Sequence, residues 1–178
     1  MRARLKAFWL KLRNLVYPKP LDSAPPSANS AVLQQLISPD ANDVVSGCQA
    51  VAWSRDFEEL ALLAENLDLI RARTSGRALG GHFFRFEDVY LKFALQKLEW
   101  VKNNKGCLCG TYPDYMFFDP KTEEKNGHIR IDEIRRIEDK WVDYYACTCT
   151  TCGAAYRVKE GESHYVWWDW MRAPDPLV

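Results

Sequence analysis

Histidine and methionine are scarce in this sequence, three of each in 178 residues, and the formal net charge is zero. No run of eighteen apolar residues occurs, so no transmembrane helix is expected. H-E-x-x-H, G-x-S-x-G, P-loop and G-x-G-x-x-G patterns are all missing. With them go the usual signatures of zinc proteases, α/β-hydrolases and nucleotide-binding enzymes. His82, His128 and His164 are scattered and read as strand or turn residues rather than as a ligand cluster. No repeat at a solenoid period is visible. At the N-terminus the apolar residues alternate with basic ones, so there is no uninterrupted apolar core of a secretory signal, and a cytoplasmic location is expected.

What is present is aromatic, charged and cysteine-containing. Seven Trp and eight Tyr contribute to 13% aromatic content, and 27% of residues are charged, a composition that folds rather than stays disordered. The length suits one domain with helical additions. Charge is unevenly spread. Residues 1–20 hold six Lys and Arg and no acid, which leaves 18 basic against 24 acidic residues, or −6, for the rest. An acidic body disfavours unspecific nucleic-acid binding, because neutralising phosphates needs a surplus of Lys and Arg on one face.

Four regions follow from the patterning. Over 1–17, Leu5, Phe8, Trp9, Leu12, Leu15 and Val16 recur at helical spacing beside Lys6, Lys11 and Arg13, which predicts a basic amphipathic helix. Such a helix can lie on an anionic membrane surface with Phe8 and Trp9 inserted, dock on the body or a partner, or serve as a transit peptide. Residues 18–30, rich in Pro and Ser, read as a linker. Residues 31–105 form a helical region: a short piece in "AVLQQLI", a helix from about Asp56 to Arg73 with Ser54 or Asp56 as cap, and the most regular stripe in the chain. That stripe is Phe86, Val89, Tyr90, Phe93, Ala94, Leu98 and Val101, ended by Asn103, Asn104 and Gly106. Residues 106–172 switch to short aromatic and β-branched runs ("YMFF", "HIRI", "WVDYYAC", "AAYRVKE", "HYVWWDWM"), which read as strands, with "EGES" as a hairpin turn. "RIDEIRRIEDKW" mixes both signs and reads as a solvated face. The fold class is therefore α+β, with 31–172 expected to form one domain.

Five of the six cysteines fall in two groups, Cys107 and Cys109 in "GCLCGTY", and Cys147, Cys149 and Cys152 in "ACTCTTCGAAY". The run Cys149-x-x-Cys152-Gly153-x-x-Tyr156 resembles the knuckle of zinc-ribbon and rubredoxin-like proteins. The first pair is C-x-C-G, one residue shorter, and 39 residues separate Cys109 from Cys149. The resemblance implies a structural four-cysteine site on a small sheet, with Cys107, Cys109, Cys149 and Cys152 as ligands. Cys147 is the alternate, because residues two apart on a strand point the same way. Four thiolates suit tetrahedral Zn²⁺. Iron–sulfur ligation would use the same residues. Disulfides would need an exported chain, and a redox C-x-x-C would need a helix after Cys152. Cys48 reads as a packed apolar thiol.

In "HYVWWDWM", alternation puts Tyr165, Trp167 and Asp169 on one side and His164, Val166, Trp168 and Trp170 on the other. Either the helices cover it, or Tyr165, Trp167, Trp168 and Trp170 form a binding surface. Three function classes follow. The first is a non-enzymatic zinc-stabilised protein-interaction module, such as a small regulatory, adaptor or toxin-neutralising protein. The second is a nucleic-acid-binding zinc ribbon using Arg130, Arg135, Arg136, Lys140, Arg157 and Lys159. The third is a metal-dependent enzyme, which would need an open coordination position.

Overall fold

The computed structural model describes residues 30–77, 79, 86–138, 141–162 and 165–173, with 86 and 87 by backbone alone. The helix expected over 1–17, with Lys6, Phe8, Trp9, Lys11 and Arg13, lies outside the described residues, as do Lys140, His82 and His164. The order is α1 (Ala31–Ile37), α2 (Ala41–Trp53), α3 (Phe57–Glu65), α4 (Leu67–Thr74), α5 (Phe86–Lys102), a 3-10 helix (Leu108–Asp114), α6 (Pro120–Lys125), then β1 (Ile129–Ile137), β2 (Trp141–Cys149), β3 (Ala155–Glu162) and β4 (Val166–Arg172). The fold is α+β, as the patterning predicts. Among the described residues, no helix is long and apolar enough to cross a membrane.

Side-chain caps start most of the helices. Ser30, Asp40, Asp56 and Asp119 each accept a backbone N–H from the first turn that follows, and Pro120 sits where a missing N–H costs nothing. The α5 stripe is buried at Tyr90, Phe93, Ala94, Leu98 and Val101. It packs on α2, through Val44, Cys48, Val51 and Ala52, and on α3, through Leu60, Leu63 and Ala64. Two features of this half differ from the sequence pattern. The helix expected from Asp56 to Arg73 is two, broken at Asn66, whose Nδ2 donates to Leu62 O at 2.9 Å and whose N–H turns back to Leu63 and Ala64. Helix α2 is an addition to the expected elements.

The sheet is an antiparallel meander in the order β1-β2-β3-β4. Tyr145, Cys147, Cys149, Tyr156, Val158, Trp168 and Trp170 are among its buried side chains. What covers them is chiefly the segment that follows Cys107. Tyr112 stacks on Trp170 with centroids 4.3 Å apart, and Trp170 Nε1–H donates to Phe118 O at 2.8 Å. On its other side the segment meets the helices, where Tyr115 stacks on Phe93 at 4.3 Å. "YMFF" is therefore not a strand: Tyr115, Phe117 and Phe118 are buried in an irregular middle layer, and Met116 O accepts from Trp168 N–H on β4. "EGES" is also displaced, since Glu160, Gly161 and Glu162 are paired strand residues opposite Trp168, Trp167 and Val166. "RIDEIRRI" belongs to strand β1.

A buried set of charges joins the helical and middle layers. Lys97, fully buried, donates to Val51 O, Ala52 O and Ser54 O at 2.9, 2.8 and 2.7 Å. These carbonyls sit at the C-terminal end of α2, where a helix leaves acceptors unsatisfied and favours positive charge. Burial first, then the charge of Arg55, lowers the Lys97 pKa, and Glu123 opposes them. Three acceptors need three N–H groups, which only the ammonium form supplies. Glu123 is 1% exposed and accepts from Arg55 at 2.6 Å and from the Tyr112 hydroxyl at 2.7 Å. The Arg55 guanidinium also lies over the Tyr112 and Phe118 rings.

Two substitutions test this arrangement. Lys97→Met keeps the apolar stem but strands the α2 carbonyls, and should lower unfolding free energy by about 3 kcal/mol. Glu123→Gln leaves Arg55 without its counter-charge, at a cost of about 3 kcal/mol. Urea unfolding of each variant measures the loss.

Candidate metal centre

Two turns build the site. The first follows α5, whose end is marked by positive φ at Asn104 and Gly106. Cys107 precedes the 3-10 helix and Cys109 lies within it, with Gly110 N–H donating to Cys107 O at 3.0 Å. Gly110 is demanded by packing: a Cβ there would lie 2.3 Å from the Trp100 ring. The second turn joins β2 to β3. Gly153, at φ +75°, donates to Cys149 O at 3.0 Å, and Cys149 N–H donates to Ala154 O at 2.8 Å. A left-handed φ of this kind is the reason a glycine follows the second cysteine. Tyr156, the aromatic of the knuckle pattern, donates its hydroxyl to Cys109 O at 2.9 Å and so ties the second turn to the first.

The result places Cys107, Cys109, Cys149 and Cys152 with their sulfurs all within 4.8 Å of one another. Cys107 Sγ lies 3.7 Å from Cys149 Sγ, and Cys109 Sγ lies 3.3 Å from Cys152 Sγ. Four sulfurs bound to one tetrahedral Zn²⁺ at ~2.3 Å stand roughly 3.8 Å apart, so the donor set fits a metal of this size and softness. Cys109 is buried, Cys107 half-buried and Cys152 exposed, which leaves one ligand on the solvent side. Burial pushes the Cys107 and Cys109 thiols above their ordinary range. At Cys149 burial acts in the same direction. The backbone N–H groups of Cys152 and Thr151, with the sulfurs of Cys109 and Cys107, outweigh it and bring the pKa below the usual thiol value. Backbone N–H groups aimed at a sulfur stabilise a thiolate, which is the form a metal needs.

Cys147 stays outside the cluster. It shares the buried face of β2 with Cys149, but it is paired with Ile131 and Tyr156, and burial pushes its thiol up to about 12. Cys48 is fully buried in α2 and is raised to about 12 for the same reason. The aromatic surface expected on β4 is divided. Trp168 and Trp170 are core residues, 7% and 2% exposed. Tyr165 and Trp167 are half-buried, with ring centroids 5.7 Å apart. Of the basic residues considered for nucleic acid, Arg130, Arg135, Arg136, Arg157 and Lys159 are exposed along β1 and β3. Arg157 lies over the Tyr144 ring at 4.5 Å. His128 is half-buried, and its pKa is lowered by burial and then by Arg55.

The chain matches no family model, no curated protein and no solved structure.

Because Gly110 has an indole where a methyl would go, Gly110→Ala should push Trp100 off the first turn. The expected loss is about 1–3 kcal/mol. It is read as a lower urea midpoint with a changed Trp fluorescence maximum.

Proposed function

We propose that the protein is a non-enzymatic, zinc-stabilised protein-interaction module. The observation that carries this reading is the meeting of four cysteine sulfurs at one point. Four thiolates fill a tetrahedral shell with protein ligands, so a metal held there has no position left for a substrate and acts as a cross-link. Zn²⁺ is the metal of choice for such a site, being soft enough for sulfur and redox-inert.

The face of the sheet turned away from the buried side chains supplies the contact surface. Tyr144, Arg157 and Met171 belong to it, with Arg135, Glu133, Lys159 and Asp169 around them, and Met171 is 38% exposed. Charges of both signs alternate there. A polyphosphate strand would meet Glu133 and Asp169 together with the arginines, whereas a protein surface can match both signs. A protein partner is therefore favoured over nucleic acid.

Elemental analysis should find one zinc per chain. Cys149→Ser and Cys152→Ser should lower that content severalfold, and Cys147→Ala should leave it unchanged. A strong chelator should lower the unfolding temperature, and acid should release the metal as the thiolates protonate. Metal-free protein with an unaltered melting curve would remove the zinc reading. For the surface, a photo-crosslinker at position 157 should capture a protein, and Met171→Asp should abolish capture without changing stability by more than about 0.5 kcal/mol. Tight single-stranded nucleic-acid binding at moderate salt would replace the protein partner.

A further inference from the structure

The two edges of the sheet are treated differently. On β4, Trp168 N–H is bonded to Met116 O of the middle layer at 2.8 Å. On β1, among the described residues, only the start is covered, where Ile131 N–H donates to the Glu124 carboxylate of α6 at 2.7 Å. Beyond it, residues 132–137 are all exposed. Strand β3 pairs with β2 only from Tyr145 to Thr148, so the far half of the β1–β2 hairpin stands clear of the rest of the sheet. It carries Ile134 at 41% exposure, Ile137 at 53% and Trp141 at 65%.

An open, partly apolar edge is a template for another strand, and charges along it ordinarily keep other strands away. The order of charges here admits one register and opposes its neighbours. Partners across an antiparallel pair point to the same face of the sheet, so a two-fold axis normal to that sheet must pass through a residue, not between two. Strand β1 carries an extra residue at Asp132, whose carboxylate accepts from Arg130 and Thr148, so the regular part of its edge starts at Glu133. Reading Glu133-Ile134-Arg135 against an antiparallel copy of itself centred on Ile134, each charge faces its opposite. Glu133 meets Arg135 on both sides of the axis, and Ile134 meets itself. Centring one residue earlier sets Glu133 against Glu133. Centring one residue later sets Arg135 against Arg135. Within the chain Glu133 and Arg135 are only loosely paired, at 4.0 Å, and both are more than half exposed.

We propose that β1 is a self-recognition edge: two copies of this chain pair antiparallel through residues 133–135 about a two-fold axis at Ile134, joining their four-stranded sheets into one. A two-fold interface has this property, that residue i of one copy contacts residue j of the other and j contacts i, so a single strand must be complementary to its own reverse. Opposite charges directly across an antiparallel pair stabilise it, and like charges oppose it. Helix α6, through Glu124, bounds the pairing on one side and so fixes how far it runs. The interface needs none of the metal ligands, and although Glu133 and Arg135 also border the contact face proposed above, self-association of the pure chain is read separately from metal content and from capture at position 157.

Charge reversal tests it on the full chain, with sedimentation equilibrium as the readout. The native protein should reach a dimer as concentration rises, with a dissociation constant that increases with salt. Glu133→Arg and Arg135→Glu, each alone, put like charges together twice and should raise that constant about tenfold or more. Both changes in one chain should restore the dimer. Mixing the two single variants should give a heterodimer, since each supplies the sign the other needs; that outcome cannot arise from misfolding. A chain that stays monomeric at all concentrations, or a dimer indifferent to either single reversal, would overturn the proposal.

Discussion

Two pairs of sulfurs, from turns about forty residues apart, must meet at one point, and the rest of the molecule is arranged around that constraint. Because Cys107 follows α5 closely and Cys149 ends β2, their meeting fastens the end of the main helix to the sheet. The chain after Cys109 runs between the two layers. There Tyr112 stacks on Trp170, and Phe118 O takes the Trp170 N–H. The Tyr156 hydroxyl bonded to Cys109 O closes the same loop from the other side. A four-stranded meander with one covered face has limited burial of its own, and a metal held by the four sulfurs would cross-link the base of its central hairpin.

A second junction works by charge rather than by sulfur. Lys97 holds the end of α2, and Glu123 holds Arg55 and Tyr112, so the helical layer is fixed to the same middle segment that the sulfurs pin to the sheet. Buried charges are costly unless hydrogen-bonded, and here each finds partners within 3 Å. Both junctions pass through Tyr112 or its neighbours.

How much of this can be read from residues alone varies with the local signal. Helix α5 is legible because its apolar stripe runs regularly for four turns, and the second sulfur turn is legible because a glycine must follow Cys152. Helix α2 is hard to see although Val44, Cys48, Val51 and Ala52 have helical spacing, because Ser46 and Gly47 interrupt the apolar pattern. "YMFF" looks like a strand since a run of aromatics is apolar on every side; it is buried because it lies between layers, not because it pairs. The alternation in "HYVWWDWM" is observed in β4, but which side faces inward is decided by Tyr112 and Phe118, far away in sequence. Lys97 carries a signal of its own: it sits in the α5 stripe, four residues from both Phe93 and Val101, where a lysine has to be buried. The place of Cys149 over Cys147 depends on the β2–β3 turn, which spacing alone leaves open.

The central claim is that four cysteine sulfurs from the two turns hold one metal ion with nothing else in its shell. X-ray absorption at the zinc edge of the purified protein tests it most directly. The account predicts four sulfur scatterers at about 2.3 Å and no lighter neighbour in the first shell. A shell in which nitrogen or oxygen replaces one or more sulfurs would contradict it, and would turn the site from a cross-link into one that can bind a ligand.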